Sequence, residues 1–363
     1  MMGMSLQEKE RRWANIRDRL ENQGLDALIV VSDGHPERRG SLRYVADVNI
    51  TLRYAYVVFP LRGEPVGIYS KRTGWIKDIR TLSFRGGWVV ESEPYARFIA
   101  HVLKDLNLEK GHIGIEGDFL PFPVYERLTK ELPHAVFTST NIIHELKMVK
   151  SPEELKIIEN GVAIMDDVFA SCLRLMEPGL SWNDVTSEVY KLLCRAGSED
   201  IGGYPLPRSR DMMGHGDIYN CYPEFQAPGG YWIQFGRLIS FGEPDAQLRK
   251  MWELNVMAQE KAAEVLKPGN TGADVMRAIN EALRGTPYTG AERGSGHGVG
   301  LDIIERPFIT LDDETILKPG MVVAIHPVLS PPSPVFEACA DMFVVTESKP
   351  RKLSKVTPEI KVL

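Results

Sequence analysis

Two stretches ninety residues apart, Glu177-Pro-Gly-Leu-Ser-Trp-Asn-Asp-Val and Lys267-Pro-Gly-Asn-Thr-Gly-Ala-Asp-Val, match at Pro-Gly and at Asp-Val with one constant offset. In each, a long helical pattern stops at the Pro-Gly pair, and a second starts about four residues later and ends at Arg195-Ala-Gly or Arg284-Gly. A helix-turn-helix used twice, each time followed by strand-like segments, predicts an α+β domain with a pseudo-twofold internal repeat and a ligand site between its halves. Chance recurrence of a common Pro-Gly helix stop is the competing explanation.

The repeat occupies only part of the 363 residues, and a chain of that length predicts two domains. Before it the texture differs. Glu8 to Gln23 has helical spacing, while Ala27-Leu-Ile-Val-Val, Tyr54-Ala-Tyr-Val-Val-Phe, Val66-Gly-Ile-Tyr, Trp88-Val-Val and His112-Ile-Gly-Ile read as strands, with a helix over Ala96 to Leu106. This alternation predicts an α/β domain over residues 1–145. At Leu146-Lys-Met-Val-Lys-Ser-Pro-Glu-Glu-Leu, Ser151 reads as an N-cap and Pro152 as the first helical turn. The long helix starting there opens the second domain, residues 146–363.

Composition narrows the partners. A net charge of −6, from 43 basic and 49 acidic residues, supplies no positive field for nucleic acid or anionic lipid, so a small-molecule substrate or a peptidic ligand is expected. No apolar run approaches the roughly 20 residues that span a bilayer, and the charged N-terminus does not read as a secretory signal. Cys172, Cys194, Cys221 and Cys339 form no CxxC pair and read as reduced thiols. A cytoplasmic location without membrane association follows as the expectation.

Four stretches resemble the pita-bread fold family that includes methionine aminopeptidase, Xaa-Pro dipeptidase, aminopeptidase P and creatinase. They are Leu146–Leu155, Gly230–Pro244 (GYWIQFGRLISFGEP), Ser295–Pro307 (SGHGVGLDIIERP) and Leu317–Pro327 (LKPGMVVAIHP). Leu42-Arg-Tyr-Val-Ala-Asp extends the likeness into the first domain. For the peptidases the resemblance implies two divalent metals held by two aspartates, one histidine and two glutamates, since hard cations need carboxylate oxygens. Carried over position by position, the aspartate sites fall at Gln234 and at Pro223, beside Glu224. The histidine is His297, a second family histidine is Ile304, followed by Glu305, and the glutamate sites fall at His326 and at Ala340, beside Asp341. One ligand of five is kept in kind, so no metal or other cofactor is expected. Creatinase and ectoine hydrolase share this lack of the metal set, and the resemblance implies cleavage of a C–N bond with a histidine as acid/base.

Histidine both gives and takes a proton near neutrality, and three histidines lie in site segments. His297 sits between glycines that let the backbone approach a ligand closely. His326 replaces a carboxylate in a buried-looking strand, and His215 lies in a loop ahead of the Gly-Tyr strand. These three, with Glu305, form the candidate catalytic set. Arg53, Tyr231, Gln234, Glu337 and Asp341 form the candidate substrate-binding set, and each also has an ordinary structural reading. Creatinase-like members send an arginine across a dimer interface to a substrate carboxylate, a role the resemblance gives to Arg53 together with a homodimer. A nucleophilic role for Cys221 or Cys339 is disfavoured, since most free cysteines are small buried hydrophobes.

These residues favour a metal-independent, creatinase-like hydrolase or lyase acting on a small polar nitrogen compound. Three alternatives stay open. They are a zinc enzyme using His215, His297 and His326, a metal-dependent Xaa-Pro dipeptidase, and a non-catalytic peptide-binding member of the family.

Overall fold

Ser5 accepts a hydrogen bond from the Glu8 N–H and starts α1 (Leu6–Asn22), whose inner face buries Trp13, Ile16 and Leu20. The structure, a computed structural model, describes residues 4–51, 54–69, 75–76, 78–80, 93–117, 119–202, 212–290, 294–330 and 339–363. After α1 come β1 (Ala27–Ser32), α2 (Gly40–Ala46), β2 (Ala55–Pro60), β3 (Val66–Ile68), β4 (Asp78–Arg80), α3 (Glu93–Asp105), β5 (His112–Glu116), α4 (Phe122–Glu131), β6 (Val136–Thr140) and α5 (Ile142–Met148). The strands form one sheet ordered β4-β3-β2-β1-β5-β6, with β1 antiparallel to β2 and parallel to β5. β1 and β2 are buried along their whole length, so both read as continuous apolar runs rather than alternations. This is the α/β architecture expected from the sequence; the strand expected at Trp88 lies outside the described residues.

The chain divides between Lys147 and Met148 into two compact units. In the second, Ser151 and Glu154 exchange hydrogen bonds in a capping box that starts α6 (Pro152–Leu175), with Pro152 in the first turn. There follow α7 (Trp182–Arg195), β7 (Asp200–Ile201), β8 (Ile218–Cys221), β9 (Glu224–Gln226), β10 (Trp232–Gln234), β11 (Arg237–Ser240), α8 (Ala246–Glu264) and α9 (Gly272–Ala282). The last elements are β12 (Thr289–Gly290), β13 (Gly296–Gly298), β14 (Glu305–Phe308), β15 (Val322–Ile325), β16 (Leu329–Ser330), β17 (Asp341–Val344), β18 (Arg351–Lys352) and β19 (Lys361–Val362).

The two copies of the repeat are built alike. Gly179 and Gly269 take φ of +97° and +91°, the left-handed turn that glycine permits and that stops a helix. Two residues on, Ser181 and Thr271 cap α7 and α9, each in a capping box with an aspartate, Asp184 or Asp274. The N–H of Gly179 donates to the Met213 carbonyl and that of Gly269 to the Leu317 carbonyl. In return the Leu180 and Asn270 carbonyls accept from the N–H groups of Met213 and Leu317. Helix pair, turn and first strand-side contact therefore recur together.

Two short sheets follow the first copy, β10-β9-β7 and β11-β8, the latter extended by the C-terminal β19, and a five-stranded sheet, β14-β13-β15-β17-β18, follows the second. Trp252, Val275, Met276 and Ile279 of α8 and α9 pack on Val323, Ile325 and Phe343, which makes the core under the five-stranded sheet. Gly236 bridges Ala340, and Trp232 donates its N–H to the Gly300 carbonyl, so the strands of the two copies meet edge to edge.

Candidate active site

That meeting of strands brings four polar side chains together. β9 and β10 are antiparallel with Gln234 opposite Glu224, while β13 lies between β14 and β15 with His297 opposite Ala324. Glu224, Gln234 and His297 are 7%, 4% and 8% exposed. Burial of such groups is tolerated where they satisfy one another. Gln234 Nε2 donates to Glu224 Oε1 through a short hydrogen bond, and to His297 Nε2 at 3.3 Å. His297 Nδ1 donates to the Gly298 carbonyl at 2.9 Å. A carbonyl only accepts, so the proton sits on Nδ1, and Nε2 meets Gln234 as an acceptor.

Both ring nitrogens of His297 are thus engaged in the neutral form. Burial lowers its pKa below the ordinary histidine value, against a smaller upward pull from the Gly298 carbonyl and the charge of Glu305. His326 follows β15 directly and is half-buried; its ring centroid lies 5.1 Å from that of His297 and 6.3 Å from that of Tyr222, both edge-on. Its backbone N–H donates to the Ser295 carbonyl. Gln234 Oε1 is buried and has no hydrogen-bond partner among the described residues.

Glu305 stands one layer back. Its Oε2 accepts from Lys150 Nζ at 2.8 Å and its Oε1 from the Asp302 N–H at 3.1 Å, so it acts on His297 through its field. The glycines around His297 serve the sheet rather than a ligand. A Cβ on Gly296 would lie 2.3 Å from the Ala324 carbonyl oxygen, and one on Gly298 2.2 Å from that of Arg306.

Three expected site residues have other partners. Tyr231 donates its hydroxyl to Glu154 Oε1 at 2.6 Å and is fully buried, tying β10 to the capping box of α6. Asp341 is held by Arg237 at 2.8 Å and Lys352 at 2.9 Å, with Arg237 itself wholly buried, so its charge is spent inside the fold. His215 lies in an exposed turn against Gly242, at the far end of the β8–β11 pair from Cys221 and Arg237. That end is three strand steps away, about 10 Å. Among the described residues the three histidines form no group placed to hold a metal ion, so the zinc site is not assembled. Arg53 and Glu337 lie outside the described residues.

Among the described residues no group of three or more His, Cys, Asp or Glu side chains is placed to hold a metal ion. Ala340 presents a methyl group and packs on Tyr222. This donor set does not fit a two-metal centre. Sequence reasoning missed Lys150 and named Glu224 only as the neighbour of Pro223. Lys150 sits 155 residues from its partner Glu305, with no sequence signal joining them. Glu224 is shifted by one residue from the position carried over by spacing, and only the strand register exposes it.

Comparisons with known proteins agree with this architecture. The sequence model of metallopeptidase family M24 matches residues 156–347, and that of the creatinase/prolidase N-terminal domain matches 12–149. Xaa-Pro dipeptidase of Pyrococcus furiosus is 27% identical over 68% of this chain and 75% of its own length. Ectoine hydrolase of Halomonas elongata is 25% identical over 87% of this chain and 88% of its own. The crystallised Xaa-Pro dipeptidase of Bacillus anthracis superposes with a TM-score of 0.79 at 22% identity, covering 98% of this chain and 100% of that one, and shares the fold.

Proposed function

Since the chain belongs to metallopeptidase family M24, we propose that it is a creatinase-like hydrolase that cleaves a C–N bond of a small polar nitrogen compound without a metal. The observation that carries this reading is the pair His326 and His297. The half-buried imidazole of His326 stands beside a neutral His297, where the resemblance would place a carboxylate ligand. A histidine there supplies an acid/base in place of a metal-bound water.

In the hydrolytic cycle His326 takes a proton from water as the oxygen adds to the carbon of the C–N bond. It then returns that proton to the departing nitrogen, so the carbon keeps the hydroxyl and the nitrogen the hydrogen. Gln234 Oε1, buried and without a partner among the described residues, accepts an N–H of the substrate. His297 and Glu224 hold Gln234 in place, and Glu305 adds negative charge behind His297. The protein works as a cytoplasmic homodimer on a small molecule, with Arg53 as the residue for a substrate carboxylate. No helix among the described residues is long and apolar enough to cross a membrane.

The test is a turnover screen of untagged protein with ectoine, creatine and an Xaa-Pro dipeptide, each with and without EDTA. Chelator-insensitive cleavage that falls about 10²–10⁴-fold in His326→Asn is expected. Cleavage of the dipeptide that depends on added Mn²⁺ would overturn the reading.

A further inference from the structure

The amide of Gln234 does at its position what a cation would do. Its Nε2 carries two hydrogens, and it gives one to the Glu224 carboxylate and the other to the bare nitrogen of His297. A carboxylate oxygen and a neutral imidazole lone pair are the two donor types that bind a divalent ion. Both point at this one nitrogen from separate strands, Glu224 on β9 and His297 on β13. The orientation of the amide is fixed chemically. Reversed, it would set Oε1 against a carboxylate, acceptor to acceptor. Burial of all three groups keeps water from competing for these bonds. Ala340, at a position where the resemblance would place a carboxylate, packs its methyl group on Tyr222 and contributes no charge of its own.

We propose that Gln234 is a built-in substitute for a divalent cation. It ties a carboxylate to an imidazole and occupies the lone pairs an ion would need. This single amide is what makes the site refuse metal. The inference rests on the metal-independent reading above and assigns that property to one residue.

The prediction concerns binding and needs no substrate. Untagged wild type, Gln234→Asp and Gln234→Glu are stripped with chelator, titrated with Mn²⁺ by calorimetry, and assayed for bound ion by equilibrium dialysis. Wild type is expected to bind less than about 0.1 ion per chain. At least one carboxylate variant is expected to take up about one Mn²⁺ with Kd in the weak range of about 10⁻⁵–10⁻³ M. Added Mn²⁺ should then raise the melting temperature of that variant alone. The uptake should disappear when His297→Asn is added.

About one Mn²⁺ bound by wild type would overturn both this inference and the metal-independent reading. Folded carboxylate variants that bind no more Mn²⁺ than wild type would overturn the inference alone, as would uptake that survives His297→Asn. Should neither variant fold, nitrogen-15 NMR of histidine-labelled wild type decides. A bare, hydrogen-bonded Nε2 and a protonated Nδ1 on His297 are expected. A proton on Nε2 would leave that nitrogen unable to accept from Gln234 and would end the proposal.

Discussion

Lys150 Nζ lies 2.8 Å from Glu305 Oε2, and each side chain is 1% exposed. A pair so deeply buried is poorly screened by salt, and neither charge can turn to water if its partner is lost. The ammonium fixes the carboxylate whose field reaches His297, and it also donates to the Met148 carbonyl at 3.2 Å.

Lys150→Met or Glu305→Gln is expected to cost about 3–5 kcal/mol, because each leaves one charge buried alone. The double change Lys150→Met with Glu305→Gln removes both charges and should recover most of that loss. Urea unfolding of the four proteins checks this. Additive losses in the double variant would show that the pair is not coupled.

Stability should fall as pH drops through about 6.5. Burial holds the pKa of His297 below its unfolded value, so the unfolded chain takes the proton first. The contribution is complete above the unfolded value, is lost as pH falls toward the folded one, and levels off below that. The urea midpoint should fall further between pH 7.5 and pH 5.5 in wild type than in His297→Gln. An equal acid loss in both would remove His297 from the account.

The matched caps should carry matched costs. Ser181→Ala and Thr271→Ala each remove the acceptor for an N3 amide, Asp184 or Asp274, and should each cost about 1 kcal/mol. Glycine at either position should cost only a few tenths. A loss confined to one copy would mean that the two turns are not equivalent.

Thiol chemistry should separate one cysteine from three. Cys194 is exposed, whereas Cys172, Cys221 and Cys339 are buried. Burial pushes Cys339 up to about 12, and the hydrogen bond with Cys172, followed by burial, raises Cys221 well above the ordinary thiol value. A disulfide reagent should react quickly with one thiol in the native protein and with all four in denaturant. A second fast thiol that maps to Cys221 or Cys339 would reopen a nucleophilic role.

The scaffold was legible because its signals are local. Pro-Gly followed by Ser181 or Thr271 encodes stop and restart within five residues, and Ser151-Pro152 announces α6 in the same way. The site was less legible because satisfaction is not a property of residue type. Tyr231 and Asp341 have the right chemistry to hold a substrate, yet one bonds Glu154 across 77 residues and the other Arg237 across 104. Glu224 is set opposite Gln234 by strand register alone, and Lys150 meets Glu305 only through the folded chain.

The duplicated turn has one more consequence. Its two copies share a backbone and divide the chemistry, with Glu224 and Gln234 in strands after the first, and His297 in a strand and His326 just beyond one after the second. Neither copy inherits a working half. A chain severed between Gly242 and Ala246 would yield two fragments that are inert apart and regain the hydrogen bond from Gln234 to His297 only by reassociating. Joining the copies in one polypeptide keeps those two faces at a high effective concentration.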